Sequence, residues 1–114
     1  MLPRHYRLPA KVRFMHAQID ATAYFTVKYV PNNLSQSRFG FIIGKAVAKQ
    51  AVIRNRARRV LRSCIEERLE RIAPGYDMLF LLKKGIIDKD RETLSSEIEK
   101  LLSDKKLFKD IPNT

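Results

Sequence analysis

The side chains with the strongest chemical character are cations, and they are concentrated between positions 45 and 62. This stretch, KAVAKQAVIRNRARRVLR, contains seven Lys or Arg residues and no Asp or Glu. Guanidinium groups bind phosphate through two parallel hydrogen bonds and also stack on planar rings, whereas an ammonium group acts as a point charge. The stretch therefore predicts a binding site for a polyanion. Its candidate contact residues are Lys45, Lys49, Arg54, Asn55, Arg56, Arg58, Arg59 and Arg62.

The positive charge of the whole chain is concentrated in the same region. The formal net charge is +11 and the isoelectric point is about 10.2. Residues 38–71 contain ten bases and three acids, a net charge of +7, whereas residues 72–114 contain eight of each. One clustered basic element on an otherwise balanced chain is typical of a nucleic-acid-binding protein.

A membrane surface is the competing partner for positive charge. No apolar run approaches the roughly 18–20 residues that span a bilayer, and the first residues, MLPRHYRLPAKVRF, lack the apolar core of a signal peptide. The single cysteine, Cys64, cannot form an intramolecular disulfide. We therefore expect a cytoplasmic protein with no membrane partner.

The hydrophobic pattern predicts one α+β domain over residues 1–114, with a small central sheet packed against helices. Pro9 suits the first turn of a short helix that points Val12, Phe14 and Met15 inward. The two β-rich segments that follow are joined by the polar loop PNNLSQS, which indicates an antiparallel hairpin. The last helix begins at Asp88 or Asp90 as its N-cap. The predicted elements are helix 7–17, strands 23–30 and 38–43, helix 49–72, strand 78–82 and helix 90–103.

The basic stretch falls on the long predicted helix and covers most of its surface. Apolar residues recur at steps of three and four and form one stripe that faces the core. The arginines and Asn55 occupy the rest of the circumference, and no acid lies within one turn of Arg54–Arg59 to neutralise them. If about six phosphates were contacted, the logarithm of the affinity would fall with that of the salt concentration at a slope of roughly −4 to −5.

Two motifs stand at a defined spacing: residues 40–45 read GFIIGK, and residues 54–62 read RNRARRVLR. Together they resemble the bacterial ribonuclease P protein subunit. The similarity extends to Arg7-Leu8 and Phe14 near the start, to Tyr76-Asp77 at the last strand and to the closing helix. It covers nearly the whole chain.

The resemblance implies a non-catalytic subunit that binds the catalytic RNA, while that RNA removes the 5′ leader of precursor tRNA with Mg²⁺. The protein itself is expected to hold no cofactor and no catalytic residue. A separate cleft on the sheet is expected to bind the single-stranded leader, and stacking on aromatic rings would serve that purpose. The fold implied is an α/β sandwich with a left-handed strand–helix–strand crossover. The leader-cleft candidates are Phe14, Tyr24, Lys28 and Lys83.

The chain departs from the family pattern at two basic positions. Ala46 stands where a second lysine is usual, and Lys83 stands where an arginine is usual. The first change removes one potential phosphate contact, and the second keeps the charge but loses the guanidinium fork.

Two other functions remain open on the residues alone. A ribosomal or other structured-RNA-binding protein of similar fold would need the same basic helix. A nuclease acting through its own side chains would need a carboxylate cluster near the arginines to hold metal ions, and the sequence has none there. We expect no DNA partner.

Overall fold

The part of the chain that the structure describes forms a four-stranded mixed sheet with two helices packed against one face. The computed structural model describes residues 2–9, 12 and 14–109. The α+β class is confirmed. The strands are β1 (Gln18–Ala21), β2 (Phe25–Pro31), β3 (Arg38–Ile42) and β4 (Tyr76–Leu82); the helices are α1 (Ala51–Glu66) and α2 (Arg91–Asp104). Short 3-10 turns span Arg4–Tyr6 and Lys84–Ile86.

The strand order is β1-β2-β4-β3, so the predicted hairpin between β2 and β3 is wrong. Strand β4 lies between them, antiparallel to β2 and parallel to β3. Its apolar run suits an inner strand. The start of β3 is held beside β4 by Arg38, which donates two hydrogen bonds of 2.8 Å to Asp77, and Asn32 donates to the same carboxylate at 2.9 Å. The crossover β3–α1–β4 is parallel, and its handedness stays a prediction.

Alternation along the strands gives the sheet one core face and one outer face. Phe25, Val27, Met78 and Phe80 lie on the core face and are fully buried with the apolar residues of both helices. The outer face carries the residues between them, including Lys28 of β2, and it is only partly covered. The two faces therefore differ in polarity and in their access to solvent.

The predicted first helix is wrong in the part of segment 7–17 that the structure describes. Arg7 instead forms a parallel bridge with Phe39, and the Leu8 amide donates to the Phe39 carbonyl oxygen at 2.9 Å. The open edge of β3 offers this segment backbone hydrogen bonds that outweigh a weak helical pattern. Met15, expected inside, is 65% exposed. Residues 10, 11 and 13 lie outside the described residues. Strand β1, which the sequence did not predict, follows.

The other two predicted helices are confirmed, and α1 is shorter than the sequence predicted. Helix α1 begins at Ala51 rather than 49 and ends at Glu66 rather than 72, with turns over residues 67–71. The N-cap of α2 is Asp90, whose carboxylate accepts a 2.8 Å hydrogen bond from the Thr93 amide. Asp88, the alternative cap, has a positive φ of 66° and lies in the preceding turn.

A buried arginine clamps the end of α1 to α2. The guanidinium of Arg68 donates to Glu99 at 2.9 Å, to the Cys64 carbonyl oxygen at 2.8 Å and to the Ser95 hydroxyl at 2.7 Å. Arg71 forms a second ion pair with Glu99. Arg68 and Arg71, in the turns that follow α1, therefore serve the fold, which distinguishes them from the arginines within the helix.

Candidate nucleic-acid interface

The loop before α1 carries the two lysines of the basic stretch, and Arg54 braces it. The Nη1 group of Arg54 donates to the carbonyl oxygens of Ala48 and Lys49 at 2.8 and 2.7 Å. Its position close to the buried stripe of the helix explains this inward turn. Arg54 therefore fixes the loop that presents Lys45 and Lys49, both of which are exposed.

The middle of α1 presents its cations outward. Arg58 donates a hydrogen bond to the side-chain oxygen of Asn55, which orients its guanidinium from the next turn of the same helix. Arg56 and Arg59 are exposed, and Arg62 is half-buried at the flank. This arrangement follows from the buried stripe, because fixing Ala57 and Leu61 in the core directs the intervening side chains to solvent.

The basic face consists of cations that form no ion pair in the part of the chain that the structure describes. Arg56, Arg59 and Arg62 form no ion pair there, and neither do Lys45 and Lys49. The first turn of α1 has no acidic residue, and its N-cap makes no side-chain hydrogen bond. Free amide groups at a helix start add partial positive charge to that of the lysines. The face is therefore suited to binding phosphates.

Among the described residues, the ion pairs of arginines with Glu67 and Glu99 lie beyond this face, after the C-terminal end of the helix. Glu67 pairs with Arg68 and Arg91, and Glu99 pairs with Arg68 and Arg71. The bonds from Arg71 and Arg68 lower the pKa of Glu99. The charges at the C-terminal end of α1 are thus engaged within the protein.

The eight residues predicted for polyanion binding lie together on α1 and its preceding loop. Two of them have supporting contacts within the protein, because Arg54 braces the loop and Asn55 orients Arg58. The other six present positive charge. The bracing role of Arg54 could not be predicted from sequence periodicity, because this role depends on where the carbonyl oxygens of the loop lie.

Of the four leader-cleft candidates, Tyr24 and Lys83 lie side by side. The Lys83 amide donates to the Tyr24 carbonyl oxygen at 3.0 Å, and its ammonium donates to the Thr22 carbonyl oxygen at 2.8 Å. The Lys89 ammonium lies 6.0 Å from the centre of the Tyr24 ring. These contacts place one aromatic ring and two lysines at one end of the sheet.

The remaining two candidates are Lys28 and Phe14. Lys28 is half-buried on the outer face, where it is paired across the strands with Ile19 and Leu79. It lies four residues from Tyr24, or about 13 Å along an extended strand. Phe14 is half-buried in the irregular segment before β1. Lys28 therefore lies within β2, apart from the end of the sheet where Tyr24 and Lys83 meet.

The outer face also exposes apolar side chains that the sequence did not single out. Ile19 is 62% exposed and Ile42 is 50% exposed. Both lie on the outer face by strand alternation, on β1 and β3 respectively. Strand β1 has four residues, so its alternation is too short to be recognised before its partner is known.

Comparison with known proteins decides the family. The family model described as Ribonuclease P matches residues 2–106. The chain belongs to the ribonuclease P protein family. A ribonuclease P protein component from Caldanaerobacter subterraneus subsp. tengcongensis is 32% identical over 97 residues, covering 85% of this chain and 83% of the relative. One from Synechococcus elongatus is 32% identical over 111 residues, covering 90% and 91%.

Solved structures of ribonuclease P proteins have the same fold. A mutant from Staphylococcus aureus aligns with a TM-score of 0.81 at 21% identity, covering 92% of each chain. The protein from Thermotoga maritima aligns with a TM-score of 0.72 at 22% identity, covering 80% of this chain and 86% of that one.

Within the described residues, neither helix has the length and apolar character needed to cross a membrane.

Proposed function

We infer that this ribonuclease P protein binds the catalytic RNA of ribonuclease P through the basic face of α1 and its preceding loop. The observation that carries this function is the set of cations on that face that have no acidic partner among the described residues. Their charge repels itself in the free protein, and bound RNA phosphates would relieve that repulsion. Family membership supports the catalytic RNA of ribonuclease P as this polyanion.

In this proposal the protein contributes binding and orientation, and the RNA performs hydrolysis with its own Mg²⁺. The cations of α1 would reduce the repulsion between closely packed phosphates of the RNA. Without the protein, additional Mg²⁺ is needed to offset that repulsion. The expected products are mature tRNA and a released 5′ leader. The expected location is the cytoplasm, where tRNA is made.

The outer face of the sheet is our candidate for the leader site. Lys28 supplies a cation between Ile19 and Leu79, and exposed apolar side chains there suit unstacked bases. Phe14, Tyr24 and Lys83 remain proposed contributors. The separation of Lys28 from Tyr24 implies that they contact different nucleotides.

Cleavage of precursor tRNA by the reconstituted complex tests this function. The protein is added to the catalytic RNA of its host at a Mg²⁺ concentration at which that RNA alone is slow. We expect faster release of the 5′ leader from the complex, no cleavage by protein alone, and no stimulation by heat-denatured protein.

Ribosomal RNA provides the competing partner in the same experiment. If it binds tightly while the catalytic RNA neither binds nor gains activity, the protein is a structured-RNA-binding protein of another kind. Cleavage by the protein alone would contradict the assignment of catalysis to the RNA.

A further inference from the structure

A cationic cleft lies at the edge of β3 that pairs with the N-terminal segment, beside the basic face of α1. It encloses about 290 Å³ between the N-terminal segment, the strand edge and the flank of the helix. Its lining residues are Leu2, Arg7, Phe39, Gly40, Phe41 and Arg62. Two of these six are arginines and none is acidic, so the cleft concentrates positive charge against apolar walls.

Arg7 is held in place at both its backbone and its side chain. The bridge to Phe39 fixes its main chain, and its Nε group donates to the Leu2 carbonyl oxygen at 2.9 Å. Leu2 is buried, with 2% of its surface exposed. The two Nη groups of Arg7 have no partner in the part of the chain that the structure describes. An arginine anchored through Nε loses less freedom when its free amino groups bind a ligand.

Arg62 brings the second cation from the helix. It is half-buried and forms no ion pair within the described ranges. Glu66 follows one turn later but does not line the cleft. Two guanidinium groups facing one cleft repel each other unless an anion lies between them, and the apolar walls strengthen the attraction to that anion by lowering the local dielectric constant.

We propose that the cleft between Arg7 and Arg62 binds a backbone phosphodiester of the catalytic RNA. This assignment rests on the proposed function, because Arg62 belongs to the basic face of α1 and the cleft continues that face around the sheet edge. A phosphodiester matches the site because its two non-bridging oxygens can accept hydrogen bonds from two guanidinium groups. The N-terminal segment would then be part of the RNA-binding surface.

The salt dependence of RNA binding tests the proposal in the full-length protein. Dissociation constants for the catalytic RNA are measured between about 0.15 and 1 M salt for the wild type, Arg7→Gln, Arg62→Gln and the double variant. One lost phosphate contact reduces the slope by about 0.7–0.9, which corresponds to an approximately fivefold loss at 0.15 M relative to 1 M. We expect that result for Arg7→Gln, and a double variant that loses less than the product of the two single losses.

Arg4→Gln is the matched control, because Arg4 is an exposed arginine of the same segment that does not line the cleft. It should change the slope less and show no coupling to Arg62→Gln. Arg7→Lys should recover part of the slope. A purely structural role of Arg7 would lower affinity equally at every salt concentration, and that outcome overturns the proposal. So would equal effects of the Arg4 and Arg7 changes.

The remaining outcomes separate this proposal from the function on which it rests. If the wild type binds the catalytic RNA with a steep slope and Arg7→Gln matches it, only the cleft assignment fails. If the wild type itself does not bind that RNA, the proposed function fails as well. An effect of Arg7→Gln confined to precursor tRNA binding by the assembled complex would assign the cleft to the substrate and overturn the proposal.

Discussion

Removing Arg56 and Arg59 together should weaken binding of the catalytic RNA mainly at low salt. Both side chains are exposed, and neither has a partner among the residues described. Replacing both with Gln should therefore leave the free energy of unfolding within about 0.5 kcal/mol of the wild type. Two lost phosphate contacts should lower the slope of log affinity against log salt by about 1.4–1.8.

The slope gives the expected size of the loss. Between 1 and 0.15 M salt, a slope change of this size corresponds to an approximately twentyfold weaker affinity at the lower concentration. Filter binding or fluorescence anisotropy across that range measures it. Lys100→Gln with Lys106→Gln is the matched control, because it removes the same charge from exposed positions beyond the basic face. A slope unchanged by the arginine pair, or lowered equally by the control, would refute the assignment of the RNA to α1.

Three further predictions concern stability and substrate choice. Arg68→Ala should lower the free energy of unfolding by about 3 kcal/mol, because it removes a buried arginine and its several hydrogen bonds. Arg71→Ala, at a more exposed ion pair, should lower it by about 0–1 kcal/mol. Urea unfolding of the two variants measures the difference, and equal losses would contradict the clamp. Burial alone would raise the pKa of Asp77, but hydrogen bonds from Arg38 and Asn32 lower it below its usual value. The carboxylate therefore stabilises the fold above its unfolded pKa of about 3.9. The wild type should be more stable than Asp77→Asn at neutral pH, and this difference in the free energy of unfolding should disappear as the pH falls through the folded pKa. A difference that does not change with pH in urea titrations would contradict this prediction. If Phe14 contacts the leader, Phe14→Ala should weaken binding of precursor tRNA more than mature tRNA in the assembled complex, and an equal loss for both would indicate a role in folding.

The basic helix was predictable because its signal is local. The steps of three and four that bury Ala57 and Leu61 also determine which side chains face solvent. The inward roles of Arg54 and Arg68 were not predictable, since each depends on carbonyl or carboxylate groups brought close only by folding. The position of an arginine on a helix does not by itself show whether it binds a ligand or supports the fold.

The sheet was less predictable because strand pairing depends on distant parts of the chain. Composition located β2, β3 and most of β4, but their order involves contacts between distant residues, such as the hydrogen bonds that join Arg38 and Asn32 to Asp77 at the start of β4. The segment around Arg7 has a weak helical pattern, and the edge of β3 supplies the hydrogen bonds that keep it extended. These pairings also leave Lys28 and Tyr24 about 13 Å apart.

The central claim is that the basic face of α1 binds the RNA of ribonuclease P. Its most direct test is sequencing of the RNA that copurifies with the tagged full-length protein from its host, in parallel with the Arg56→Gln, Arg59→Gln variant. We predict strong enrichment of the catalytic RNA with the wild type and a clearly lower enrichment with the variant. Recovery of ribosomal RNA without the catalytic RNA, or equal recovery of the catalytic RNA by both proteins, would contradict the claim.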